Sequence, residues 1–83
     1  MMSSHDRIRR LFEDVVNIQV RSDDTDLIEE GLLDSLVFVE LLVGLEDTFG
    51  IQIDIVDLDI EDFRTVRQIG RLVARLSAHK LTP

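Results

Sequence analysis

With 83 residues, 9.5 kDa and a 45% hydrophobic content, the chain is expected to form one small domain over residues 1–83, its core spanning about 6–78 between frayed termini. It has no cysteine, tryptophan or tyrosine, which excludes a disulfide framework, a Cys-based zinc site and thiol catalysis by its own side chains. The net charge of −8 argues against a nucleic-acid partner, and no apolar run approaches the ~20 residues of a membrane span, so the expected setting is the cytoplasm. The charge is also segregated. Between Ser22 and Phe63 there are 14 acidic residues and no Lys or Arg, whereas residues 64–83 carry five basic residues and no acid. An anionic body of this kind suits a basic protein partner.

Residues 6–18 read as an amphipathic helix, with Ile8, Leu11, Phe12, Val15 and Ile18 on the apolar side and Ser3 with Asp6 as its capping start. Residues 21–34 read as a long loop. Asp23, Asp24, Thr25 and Asp26 disfavour a helix interior, Gly31 marks a turn, and Leu27, Ile28, Leu32 and Leu33 tuck the loop onto the core. A second helix is expected over 35–49, stopped by Gly50. At 100° per residue its core arc is Phe38, Val39, Leu42, Leu45 and Phe49. The opposite arc holds Glu40, Asp47 and Gly44, together with Leu36, Val37 and Val43. Apolar residues among acids on the solvent side point to a contact surface. Ile51-Gln52-Ile53-Asp54-Ile55 alternates like a strand but has no second strand to pair with, so it reads as an extended loop burying three isoleucines. Asp57 to Phe63 holds one short acidic helical turn. Thr65 with Gln68 then caps a last helix, buried through Val66, Ile69, Leu72, Val73 and Leu76, with Arg67, Arg71 and Arg75 along its outer side. The expected fold is all-α: a bundle of three main helices plus one short one, with a long first loop.

Enzymatic constellations are absent from this pattern. Ser35 lacks the flanking glycines of a nucleophile elbow, and neither His5 nor His79 is tied to it by spacing. Calcium fares no better. An EF-hand register begun at Asp23 puts Ile28 at the invariant glycine, and one begun at Asp57 puts Asp62 there and Gln68 at the bidentate glutamate. What remains is Asp34-Ser35-Leu36 at a helix start. Asp and Ser are ordinary N-cap residues, yet a serine hydroxyl at a helix N-terminus is also a good place to hang a phosphate, where free N–H groups and the helix dipole favour negative charge.

The run Leu27-Ile28-Glu29-Glu30-Gly31-Leu32-Leu33-Asp34-Ser35-Leu36 resembles the phosphopantetheine attachment motif of acyl and peptidyl carrier proteins. Val39-Glu40-Leu41-Leu42, Leu45-Glu46 and Phe49-Gly50-Ile51 resemble the continuation of that family's second helix, and the likeness extends to Leu76. Asp57 to Thr65 is similar to the stretch before the last helix of D-alanyl carrier proteins, with an aromatic residue followed by a Thr cap. Two departures stand out: Val37-Phe38 replaces small or polar residues, and no proline follows Ile53. The resemblance implies a 4'-phosphopantetheine arm linked covalently to Ser35 by a phosphopantetheinyl transferase, with Mg²⁺ near Asp34 during transfer. The arm's thiol would carry an acyl or aminoacyl group as a thioester. It further implies docking of basic enzyme surfaces on Leu36, Val37, Glu40, Val43, Glu46 and Asp47.

The expected function is therefore a free-standing, monomeric carrier protein that is not itself an enzyme, loaded by a ligase and serving downstream acyl-accepting enzymes. A D-alanyl carrier loaded by an ATP-dependent ligase is the alternative within that class. An acidic helical adaptor with no prosthetic group is the alternative outside it, and a calcium-responsive module is a third.

Overall fold

The computed structural model describes residues 3–54, 56 and 58–80, with side chains through Ser77. Helix α1 runs Ser4–Val16 and opens with a reciprocal box: the Ser3 hydroxyl accepts from the Asp6 amide, and the Asp6 carboxylate accepts from the Ser3 amide. It ends two residues before the sequence reading because Asn17 turns left-handed (φ 57°), its N–H reaching back to the Phe12 carbonyl. Val15, expected on the apolar side, is instead 44% exposed, whereas Val16 and Ile18 pack against the core.

Residues 17–34 form the long loop. Val20 and Leu27 are buried, and the Leu27 carbonyl receives the amides of Leu32 and Leu33 around a turn completed by Gly31 at φ 70°. Helix α2 is Ser35–Phe49 with Asp34 as N-cap and Gly50, left-handed at φ 63°, as C-cap. A 3-10 turn, Ile60–Phe63, is capped by Asp59, and α3 runs Val66–Lys80. The Thr65 hydroxyl caps α3 by accepting from the Gln68 amide at 3.1 Å, and donates in turn to Gln68 Oε1 at 3.2 Å. Of the three isoleucines expected inside, Ile51 is buried and Ile53 packs against the core; Ile55 lies outside the described residues, as does the expected frayed end Leu81-Thr82-Pro83. The described residues contain helices and turns and no strand.

The core is built from all of these elements: Ile8 and Phe12 of α1, Leu27 of the loop, Leu41 and Leu45 of α2, Phe63, and Val66 and Ile69 of α3 are almost completely buried. Helix α1 packs into two glycine notches. A Cβ at Gly44 would stand 2.7 Å from the Leu11 side chain, and one at Gly70 would stand 2.7 Å from the His5 ring. The Gly44 notch fixes the roll of α2, turning Leu41 and Gly44 inward toward α1 and correcting the core arc inferred from periodicity. Val39, placed in that arc, is 56% exposed. Val37, expected at the docking surface, packs against the core.

Arginines at both ends of the chain tie the loop down. Arg9 pairs with Asp6 and Asp23, and His5 Nδ1 lies 2.9 Å from Asp23. Arg67 Nε reaches Asp24 at 2.8 Å, and Arg64 Nη1 reaches Asp26 at the same distance. Helix α2 has no basic residue in its last turn; Arg7 of α1 supplies one, donating to the Thr48 carbonyl at 2.8 Å with its guanidinium 4.5 Å from the Phe49 ring centre.

Candidate functional site

The sequence singled out Asp34-Ser35, and the fold gives that pair a defined geometry. Asp34 sits in extended conformation (φ −88°, ψ 179°), its Oδ1 accepting from the Val37 amide at 2.9 Å and its carbonyl from the Phe38 amide at 2.8 Å. Ser35 is thus the first residue of α2 and is exposed. Among the described residues its hydroxyl makes no hydrogen bond, and the amides of Ser35 and Leu36 find no acceptor. Two free N–H groups and an open hydroxyl at the positive end of a 15-residue helix match the needs of a phosphodiester on Ser35 Oγ. The residues present fit the group: Ser35 would bear it and the α2 N-terminus would face its charge.

The approach to this turn is rigidly held. Asp26 Oδ1 accepts the amides of Glu29 (2.9 Å) and Ile28 (3.2 Å), and the Leu27 amide donates to the Arg64 carbonyl at 2.7 Å. Arg64 also grips Glu61 with both Nε (2.7 Å) and Nη2 (2.9 Å). The Glu29 amide, and then Arg64, hold the Asp26 carboxyl below the usual carboxylate range, and Arg64 does the same to Glu61. The Arg67 side chain lowers Asp24 likewise. Periodicity gave no sign of this role for Arg64; the signal in the sequence was its place as the first base after fourteen acids.

The remaining sequence-predicted residues divide into two groups. Leu36 (69% exposed), Val43 (53% exposed), Glu40 and Asp47 lie along the outer side of α2, where Val39 joins them. Val37 and Glu46 do not. Val37 is turned to the core, and Glu46 Oε2 accepts from the Ile53 amide at 3.0 Å, fastening the segment after α2 to the helix. Ion pairing also sorts the acids. Asp23, Asp24 and Asp26 are matched by arginines, while Glu29, Glu30, Asp34, Glu40 and Asp47 have no basic partner among the described residues. The surface along α2 and just before it is therefore anionic around an apolar strip. No group of three His or carboxylate side chains able to hold a metal ion occurs among the described residues, and no described helix is long and apolar enough to cross a membrane.

An α-helical bundle presenting an open serine at a helix start, with no catalytic partner bonded to it, is the construction of a prosthetic-group carrier. Residues 6–73 match the phosphopantetheine attachment site family, and the chain belongs to that family of carrier proteins, which bear a covalently bound 4'-phosphopantetheine. Among its relatives, the D-alanyl carrier protein of Enterococcus faecalis is 39% identical over 77 residues, covering 90% of this chain and 99% of the relative. That of Streptococcus uberis is 46% identical over 72 residues, covering 86% of each chain. That of Bacillus velezensis is 42% identical over 53 residues, covering 64% of this chain and 68% of the relative. As a carrier protein the chain requires a phosphopantetheinyl transferase to install the arm and a ligase to load it.

Proposed function

We propose that Ser35 is the attachment residue and that the chain carries D-alanine, activated by an ATP-dependent ligase, on the arm it bears. The observation that carries this reading is the exposed Ser35 hydroxyl, which starts α2 beside two unbonded amides. When bound, the arm supplies the thiol on which the amino acid travels as a thioester. Ser35 acts as an anchor. The transferase, rather than a neighbouring base of this chain, removes its proton. Asp34 keeps the helix start in place and leaves its second carboxylate oxygen for the transfer complex with Mg²⁺. Leu36, Val39 and Val43 give partner enzymes an apolar seat, and Glu40 and Asp47 beside them select basic surfaces. The cargo assignment follows the relatives' names and the similarity of Asp57 to Thr65 to D-alanyl carriers.

The test is intact-protein mass spectrometry after incubation with coenzyme A, Mg²⁺ and a broad-specificity transferase. The wild type gains one phosphopantetheinyl group and Ser35→Ala gains none while melting at the same temperature. Addition of ATP, D-alanine and the ligase of a D-alanyl carrier relative then adds one alanyl group. Gain of the arm by Ser35→Ala would remove Ser35 from its role; an arm-bearing protein that accepts no D-alanine would remove the cargo.

A further inference from the structure

Residues 26–33 lead the chain into Asp34 and Ser35, and among the described residues every hydrogen bond from this stretch to another part of the chain goes to Arg64. The Arg64 carbonyl accepts from the Leu27 amide at 2.7 Å, and Nη1 donates to Asp26 Oδ2 at 2.8 Å. Asp26 Oδ1 in turn accepts the amides of Ile28 and Glu29, so its carboxylate joins Arg64 to the turn. Nε and Nη2 both go to Glu61, which fixes the guanidinium fork in one orientation. Leu27 is buried and Leu32 and Leu33 pack against the core, but burial is non-directional and does not orient the backbone. The residue before Arg64 holds the other side of Ser35. Phe63 is fully buried, and its ring meets Phe38, in the first turn of α2, edge to face with centres 5.0 Å apart. Phe63 thus anchors the helix that leaves Ser35, and Arg64 anchors the loop that enters it.

We propose that Arg64 is a positioning residue for arm installation: its guanidinium fixes the loop entering Ser35 in the arrangement that a phosphopantetheinyl transferase recognises. The proposal rests on Ser35 as the attachment residue and adds a residue, remote in sequence, that presents it by acting through Asp26. Without the guanidinium the main-chain bond from Leu27 to the residue 64 carbonyl survives, so the loop loosens without detaching. It then samples further arrangements, and the transferase meets the competent one only part of the time. The apparent KM for the carrier rises by the inverse of that fraction, whereas kcat, which is set after the competent form has bound, does not change. A loss of global stability has no such effect while the protein remains folded, because the folded fraction is then close to one.

The experiment measures initial rates of arm installation, with coenzyme A, Mg²⁺ and a broad-specificity transferase, against the concentration of the full chain. Arg64→Ala is expected to raise KM for the carrier about fivefold while kcat stays within about twofold of the wild type. Asp26→Asn keeps an acceptor for the two turn amides but loses the charge that Arg64 holds, so it raises KM likewise, and the double variant raises it no further. Arg7→Ala is the control. It removes the donor to the Thr48 carbonyl at the opposite end of α2, and should lower the melting temperature with KM unchanged. Hydrogen exchange at the Leu32 and Leu33 amides, which close the turn on the Leu27 carbonyl, should quicken roughly tenfold in Arg64→Ala and not in Arg7→Ala. Wild-type KM in the Arg64 and Asp26 variants, or an equal rise in Arg7→Ala, overturns the proposal. Should Arg64→Ala fail to fold, Asp26→Asn against Arg7→Ala decides it. A wild type that accepts no arm removes the attachment reading and the positioning with it, whereas a wild type that loads no better than Arg64→Ala removes the positioning alone.

Discussion

Replacing Asp34 separates its two roles, because alanine and asparagine remove different things. Asp34 Oδ1 accepts from the Val37 amide at 2.9 Å, satisfying a donor at the start of α2 that otherwise has none. Loss of a side-chain N-cap costs about 1 kcal/mol, with a range of about 0.5 to 2. In a domain of this size that corresponds to a melting temperature lower by roughly 4–8 °C. Asparagine keeps an acceptor oxygen in the same place, so Asp34→Asn is expected to melt within about 2 °C of the wild type. Arm installation is expected to respond differently: if Asp34 offers its carboxylate to Mg²⁺ in the transfer complex, as proposed, both variants lose it and both slow down. The assays are thermal unfolding by circular dichroism and initial rates of mass gain with coenzyme A. Unchanged melting of Asp34→Ala would show that the cap contributes nothing to the fold, and wild-type loading of Asp34→Asn would show that the charge is not used.

Further outcomes follow from other contacts. Phe63→Ala removes a fully buried ring and its edge contact with Phe38, and is expected to cost about 3–5 kcal/mol in urea unfolding; a loss under about 1 kcal/mol would mean that the core collapses onto the site. Glu46→Gln retains an acceptor for the Ile53 amide and should leave both stability and loading unchanged, whereas Glu46→Ala should speed hydrogen exchange at Ile53; slower ligase loading in Glu46→Gln at unchanged stability would make Glu46 a docking residue instead. Asp24, Asp26 and Glu61 have carboxyls held below their ordinary range, so the folded state binds their protons less readily than the unfolded one. The stability they contribute is complete above about pH 4.5 and is lost as pH falls through their lower, folded-state values. Arg64→Ala, which releases Glu61 and part of the hold on Asp26 while leaving the Glu29 amide in place, should flatten part of that acid limb, and parallel limbs in the two proteins would refute the assignment. Val39→Asp, on the exposed side of α2, should leave the melting temperature nearly unchanged while slowing arm installation; an unfolded variant would return Val39 to the core.

Helix limits were legible in the residues because short-range chemistry sets them. Ser3 with Asp6, Asp34, Gly50 and Thr65 with Gln68 each act within a few residues of chain, and each ends or begins its helix where the sequence indicates. The exception is Asn17, whose left-handed turn stops α1 before Ile18: asparagine tolerates that conformation but does not demand it. The motif Gly31 to Leu36 likewise pointed to the proposed attachment serine, since an exposed serine behind an Asp cap is set by residues close in the chain.

Which way α2 faces was not local information. Periodicity fixed that the helix has an apolar side but left its centre open by about one residue's rotation, because Val37, Val39 and Val43 are alike to any hydropathy scale. The notch at Gly44 decided it, by admitting Leu11 and turning Val37 in and Val39 out. The charges followed the same rule. The sequence by itself determined three helices, their caps, the attachment motif and an anionic middle flanked by bases. Only the tertiary structure decided that Arg9, Arg64 and Arg67 reach across to Asp23, Asp26 and Asp24, so that those acids hold the loop while Glu40 and Asp47 have no basic partner among the described residues. Ion pairs between residues tens of positions apart depend on how helices pack, and packing is settled by the shapes of side chains meeting from different parts of the chain.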